Sequence, residues 1–215
     1  MAELGRMEGE IWTARQFAQD VNAVARGVVS SYGNDLRVRD HTPRALQELG
    51  IPDKPWYHAR SHVVGETGHV ARARTSSTVH AVPEETLARL PALVEHPVLV
   101  GESGVRDAHA HQPVLVLDEL DSDGLPLFVC LELDGHPKAA EDVASSVFVT
   151  SVHGREHALT HLDYMRKRGG VGFVDRVAFS RLMSRAGLWV PSTLRGKDGV
   201  LATMPWMIGQ GEADG

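Results

Sequence analysis

Between residues 112 and 155 the chain reads QPVLVLDEL, DSDGLPLFVCLELD and, after an interval, SSVFVTSVHGR, and these runs limit its fold more than any other feature. They are apolar, rich in β-branched residues and of strand length. The first two are separated only by Asp121-Ser-Asp-Gly124. A turn of that kind between such runs is most simply a hairpin. We therefore expect 113–120, 126–133 and 146–153 to be neighbours in one antiparallel sheet, with a helix over 83–94 packed on one face. That helix opens with Pro83-Glu-Glu, acids favourable at a helix start.

Helical patterning flanks the runs. Over 12–29, Phe17, Val21, Val24 and Val28 share a face and Thr13 suits the cap. Thr42-Pro43 opens a short helix, RALQEL, with threonine as cap, proline in the first turn and Gly50 as the stop. Pro52 and Pro55 exclude regular helix throughout 51–58. Ser61–Val64 fits either a short helix or an edge strand, and 65–79 reads as a loop. A helix over 156–168 buries Leu159, Leu162 and either Met165 or Tyr164; another over 175–187 buries Val177, Phe179, Leu182 and Met183. A last strand is expected at 200–204. Helices, then an antiparallel strand block, then helices make an α+β fold.

Composition narrows the function. The 22 basic and 28 acidic residues leave a net charge of −6, which argues against broad coating of nucleic acid but leaves room for a small basic site. Aromatic content of 6% is low for a platform that stacks single-stranded bases. The single Cys130 excludes an internal disulfide and reads as a buried thiol, with a reducing cytoplasm as the default address. No apolar run approaches the roughly 20 residues of a membrane helix, and the start, MAELGRMEGE, is unlike a secretory signal. No membrane partner is expected. A phosphate-binding glycine loop, a Gly-x-Ser-x-Gly elbow and a paired cysteine motif are all missing from the sequence.

The third run ends in Thr150, Ser151, His153 and Arg155, a hydroxyl, imidazole and guanidinium cluster at a strand exit. In its order and spacing the chain resembles the C-terminal domain of phage MuF-like proteins. The matching pieces run from Thr42–Gly50, through Pro55, Tyr57 and His62, then His80 and Leu90-Pro91, to Pro97–Ser103. They continue in the hairpin Leu115–Pro126 and end in Ser151-Val-His-Gly-Arg155, the family's S-V-Y-G-K/R. The resemblance covers roughly 38–174. It implies a unit over 38–174, with a helical cover over 1–37 and a helical or extended addition over 175–215. That family sits in a phage nuclease-like group related to barnase, EndoU, colicin and RelE toxins, so the implied fold is small and ribonuclease-toxin-like. The implied function is a metal-independent RNA endonuclease or toxin-like effector of phage or mobile-element origin. Its address would be the cytoplasm of a bacterial host, with delivery alongside the phage particle. RNA and a cognate immunity or host protein are the implied partners. The alternative is a non-catalytic protein-binding or phage accessory module, which the acidic charge favours. Two departures stand out: His153 replaces the family's tyrosine, and the tail from 175 lies outside the pattern.

RNA transphosphorylation needs a base for the 2′-hydroxyl, an acid for the leaving 5′-oxygen and a cation for the charged transition state. The resemblance points to His62 as base or acid; the alternative is a solvated histidine beside Arg60 and Ser61. His153 offers a second imidazole titrating near neutrality, or simply an exposed side chain before Gly154. Arg155 offers a fork of donors for phosphate, or a solvated arginine after a turn. Ser151 is spaced to share a cleft with His153. Ser103 and His80 are secondary candidates for substrate binding. His109-Ala-His111 places two imidazoles on one side of an extended segment, but no Cys or acid accompanies them at ligand spacing. No metal and no cofactor is therefore expected, and any activity should survive a chelator.

Overall fold

The computed structural model describes residues 2–67, 81–103, 112–138, 143, 145–167, 170–189 and 199–200. In chain order the elements are α1 (Ala2–Ala25), β1 (Leu36–Arg39), α2 (Arg44–Gln47), β2 (Trp56–His58), α3 (Arg60–Glu66), α4 (Glu84–Ala88) and α5 (Leu90–Leu93). There follow β3 (Leu99–Glu102), β4 (Pro113–Leu120), β5 (Pro126–Gly135), β6 (Ser146–Gly154), α6 (Ala158–Lys167), β7 (Val171–Val174), α7 (Arg176–Arg185) and β8 (Gly199–Val200). The strands form one sheet in the order β1-β2-β6-β5-β4-β3-β7-β8. Every pairing is antiparallel except β2 with β6, where Trp56, Tyr57 and His58 run alongside Val147, Phe148 and Val149. The fold is α+β, and the three apolar runs are neighbouring strands as expected.

Alternation along the central strands feeds two cores. On one face Leu115, Leu117, Leu127, Val129 and Leu131 meet Phe17, Val21 and Val24 of α1, Leu46 of α2, Val63 of α3, Leu87 of α4 and Leu90 of α5. On the other, Val114, Val116 and Phe128 meet Leu162 and Met165 of α6 and Phe179, Leu182 and Met183 of α7. Helices therefore cover both faces.

Several local expectations change. The first helix starts earlier and stops at Ala25, because Gly27 turns the chain at φ +68°; Val28 is then 75% exposed. Thr13 lies inside α1 and donates to Asp40 Oδ2 at 2.8 Å rather than capping the helix. Thr42 does not cap α2 either: its hydroxyl donates to the Pro52 carbonyl (2.6 Å) and accepts from Trp56 Nε1 (2.9 Å), pinning the proline-containing turn. The expected helix over 83–94 is two short helices separated at Arg89, since Pro91 has no N–H to continue the first. Ser61–Val64 is helical, within α3. Val177 is 69% exposed on α7, whereas Phe179, Leu182 and Met183 are buried as expected. Met165 rather than Tyr164 takes the core position of α6. Cys130 is only half-buried.

Candidate functional site

The geometry of the third run depends on one extra residue in β6. Ser151 lies opposite Cys130 and Val149 opposite Leu131, so Thr150 is inserted between them; its hydroxyl donates to the Cys130 carbonyl at 3.1 Å. Val149 and Val152 both enter the first core as a result. Ser151 and His153 turn to the second face, beside Cys130 and Phe128.

There the strand exit and α6 enclose a cavity of about 410 Å³ lined by His153, Arg155, His157, His161 and Tyr164 among others. Phe128 lies behind two of these side chains: the Arg155 guanidinium carbon is 5.5 Å from its ring centroid, and the His161 ring meets it edge-on at 5.4 Å. Arg155 Nη1 donates to His161 Nδ1 across 3.2 Å. Burial, followed by that neighbouring positive charge, lowers the His161 pKa to about 4. His161 is therefore neutral near pH 7, and because Nδ1 accepts from arginine its proton sits on Nε2. Both His161 Nε2 and Arg155 Nε are buried with no hydrogen-bond partner among the described residues. Both donors belong to residues that line the cavity, and a small rotation of either side chain would offer them to an anion.

The mouth is fixed by Gly154. A Cβ at this position would collide with the Asp121 carboxylate, so only glycine lets the strand exit lie against the hairpin turn. Asp121 is itself held, with Oδ1 accepting from the backbone N–H groups of Asp123 (2.9 Å) and Leu125 (2.8 Å).

A second polar cluster lies on the first face. His58, fully buried on β2, has Nδ1 3.0 Å from the Val149 carbonyl and Nε2 2.7 Å from Glu66 Oε2. Glu66 Oε1 accepts from the Val152 N–H at 2.7 Å. Burial works to lower the His58 pKa, but the Glu66 charge and the two hydrogen bonds outweigh it and leave the pKa raised. His62, exposed on α3, presents its ring to His58 at 6.0 Å between centroids.

The predicted residues thus fall in different places. His153 and Arg155 line the cavity. Ser151 shares their face, but its side chain is not part of the cavity wall. His62 belongs to α3, whose Val63 packs in the opposite core, so the sheet stands between it and the cavity. Ser103, which donates its N–H to the Gln112 carbonyl at 2.8 Å, follows β3. The row through His153, Phe128 and Val116 crosses β3 at Leu99, so Ser103 lies four residues beyond that row, about 13 Å along a strand. His80, His109 and His111 lie outside the described residues. His161 and Tyr164 were missed, although the four-residue step from His157 to His161 on a helix signals a shared face. A larger cavity of about 740 Å³ beneath α1 includes Arg39, but that guanidinium is occupied by Glu95 (2.7 Å) and the Pro91 carbonyl (2.6 Å).

Together these features define an α+β domain with helices on both faces of a mostly antiparallel sheet and an imidazole–guanidinium cavity at one strand exit. The chain belongs to the phage MuF C-terminal domain family, whose pattern matches residues 71–180 and so includes β3 to β7 and that cavity. No curated protein and no solved structure matches the chain. Among the described residues no helix is long and apolar enough to cross a membrane.

Proposed function

We propose that the cavity at the β6 exit is the site of a metal-independent, toxin-like RNA endonuclease. The observation that carries this reading is the pairing of Arg155 with a neutral, buried His161, each holding a donor that no described protein group answers. A phosphodiester there would meet the Arg155 guanidinium, with Arg155 Nε and His161 Nε2–H turned toward it from their buried positions, and charge developing on phosphorus would be stabilised. His153, an imidazole on the same wall, would take the 2′-hydroxyl proton. Attack of the 2′-oxygen on phosphorus then expels the 5′-oxygen, which takes a proton from water, and a 2′,3′-cyclic phosphate remains. A phage-borne effector acting on RNA in a bacterial host fits the family, with an immunity or host protein as partner.

Incubation of the protein with a labelled RNA, with and without chelator, tests the reading. Products bearing 2′,3′-cyclic phosphate ends are expected in both, and Arg155→Ala should reduce them sharply while leaving the circular dichroism spectrum unchanged. A second reading, a non-catalytic protein-binding module, is favoured by the net charge of −6, which does not attract polyanions. Absence of cleavage together with tight capture of one protein partner would establish it instead.

A further inference from the structure

We infer that His58, His62 and Glu66 form a binding site for one divalent transition-metal ion of the zinc type, on the sheet face opposite the imidazole–guanidinium cavity. One ligand atom from each of these residues lies within 4.8 Å of the other two. Two imidazoles and one carboxylate are a donor set suited to zinc and its neighbours rather than to magnesium or calcium, which prefer all-oxygen shells.

The surroundings are those of a prepared site. His58 Nδ1 donates to the Val149 carbonyl at 3.0 Å, which fixes the ring, so that Nε2, whose proton now bridges to Glu66 Oε2 at 2.7 Å, is the nitrogen an ion would take by displacing that proton. A metal-bound histidine commonly has its other nitrogen anchored in this way. Glu66 Oε1 is anchored by the Val152 N–H at 2.7 Å, leaving Oε2 as the coordinating oxygen. His62 and Glu66 sit four residues apart on α3, and so on one helix face. A tetrahedral ion at about 2.1 Å from each ligand needs ligand atoms roughly 3.4 Å apart. The 2.7 Å His58–Glu66 contact would open by less than an ångström, and the exposed His62 ring would swing inward. Three protein ligands leave the fourth position to water on the solvent side, where His62 is.

Such an ion would tie α3 to β2 and β6. It serves neither the Arg155 nor the His161 side of the sheet, so its presence and RNA cleavage are separable.

Titration of the full chain with cobalt(II) tests the assignment, because a tetrahedral cobalt site absorbs in the visible range and a hydrated ion barely does. One equivalent should give that spectrum, and zinc should displace it and raise the melting temperature. His62→Ala, a change at an exposed side chain, should weaken binding about tenfold or more and abolish the zinc-dependent rise. The His109→Ala/His111→Ala double variant should keep both. The proposal is overturned by a featureless cobalt titration, by unchanged binding in His62→Ala, or by binding that disappears in the double variant.

Discussion

His58 and His161 are both buried, one on each side of the same sheet, yet their pKa values move in opposite directions. His58 has an acceptor at each ring nitrogen, and its pKa is raised despite complete burial. His161 faces a guanidinium at one nitrogen and nothing described at the other; its pKa falls to about 4. Burial alone therefore does not decide whether an imidazole is charged. The groups that meet its nitrogens decide. The satisfied histidine ties structure together, whereas the unsatisfied one leaves hydrogen-bonding capacity for a ligand.

That contrast can be broken most forcefully at His58. His58→Ala leaves Glu66 buried beside a void, and loss of one partner of a buried pair costs about 3–5 kcal/mol. Thermal melting should fall by roughly 6–20 °C; a fall of only a degree or two would show that the pair contributes little. Next, His161→Ala should lower RNA cleavage by about 10²-fold, the scale of a lost charge-stabilising or acid–base group. His62→Ala should leave cleavage unchanged, and the reverse pattern would move the reaction to the α3 side of the sheet. A smaller effect concerns acid. Because the folded pKa of His161 lies below its ordinary value of 6.5, its contribution to stability is complete above 6.5 and is lost as pH falls toward about 4. Melts across that window should show wild type losing more stability than His161→Phe, and parallel curves would contradict the assigned neutral state. The mildest change is His153→Tyr, which restores the family's residue. It should keep cleavage and move its pH optimum upward, since a phenol titrates near 10; complete loss of activity would show that the imidazole itself is required.

Strong local signals made the hairpin readable from sequence. Apolar runs flank Asp121-Ser-Asp-Gly124, and Gly124 adopts φ +78° while Asp121 organises the turn. The Phe17, Val21 and Val24 face was readable for the same reason. Strands β1, β2 and β7 were not foreseen. Trp56, Tyr57 and His58 are all buried and show no alternation, and a three-residue strand between Pro55 and a helix carries no period to detect. The inserted Thr150 is equally silent: strict alternation would place Val149 on the same side as Ser151 and His153, whereas the bulge sends it to the other core. His161 and Glu66 escaped notice because both sit in helices, where attention to apolar positions passes over a buried polar side chain. Glu66 takes its role from His58 on β2 and the remote Val152 N–H on β6, whereas His161 takes its role from Arg155, just past β6, and Phe128 on β5.

The parallel β2–β6 pairing has a consequence for where this chain can be shortened. The family pattern begins at residue 71, but the sheet containing its strands is finished by β1 and β2, which precede that point. A chain started at 71 would keep the residues that line the imidazole–guanidinium cavity and lose Trp56, Phe17 and the rest of one flank. β6 would then present an open row of amides and carbonyls, a template for another chain to add to. Shortening the chain to the matched region should thus bring a tendency to aggregate, measurable by size-exclusion chromatography of the shortened chain.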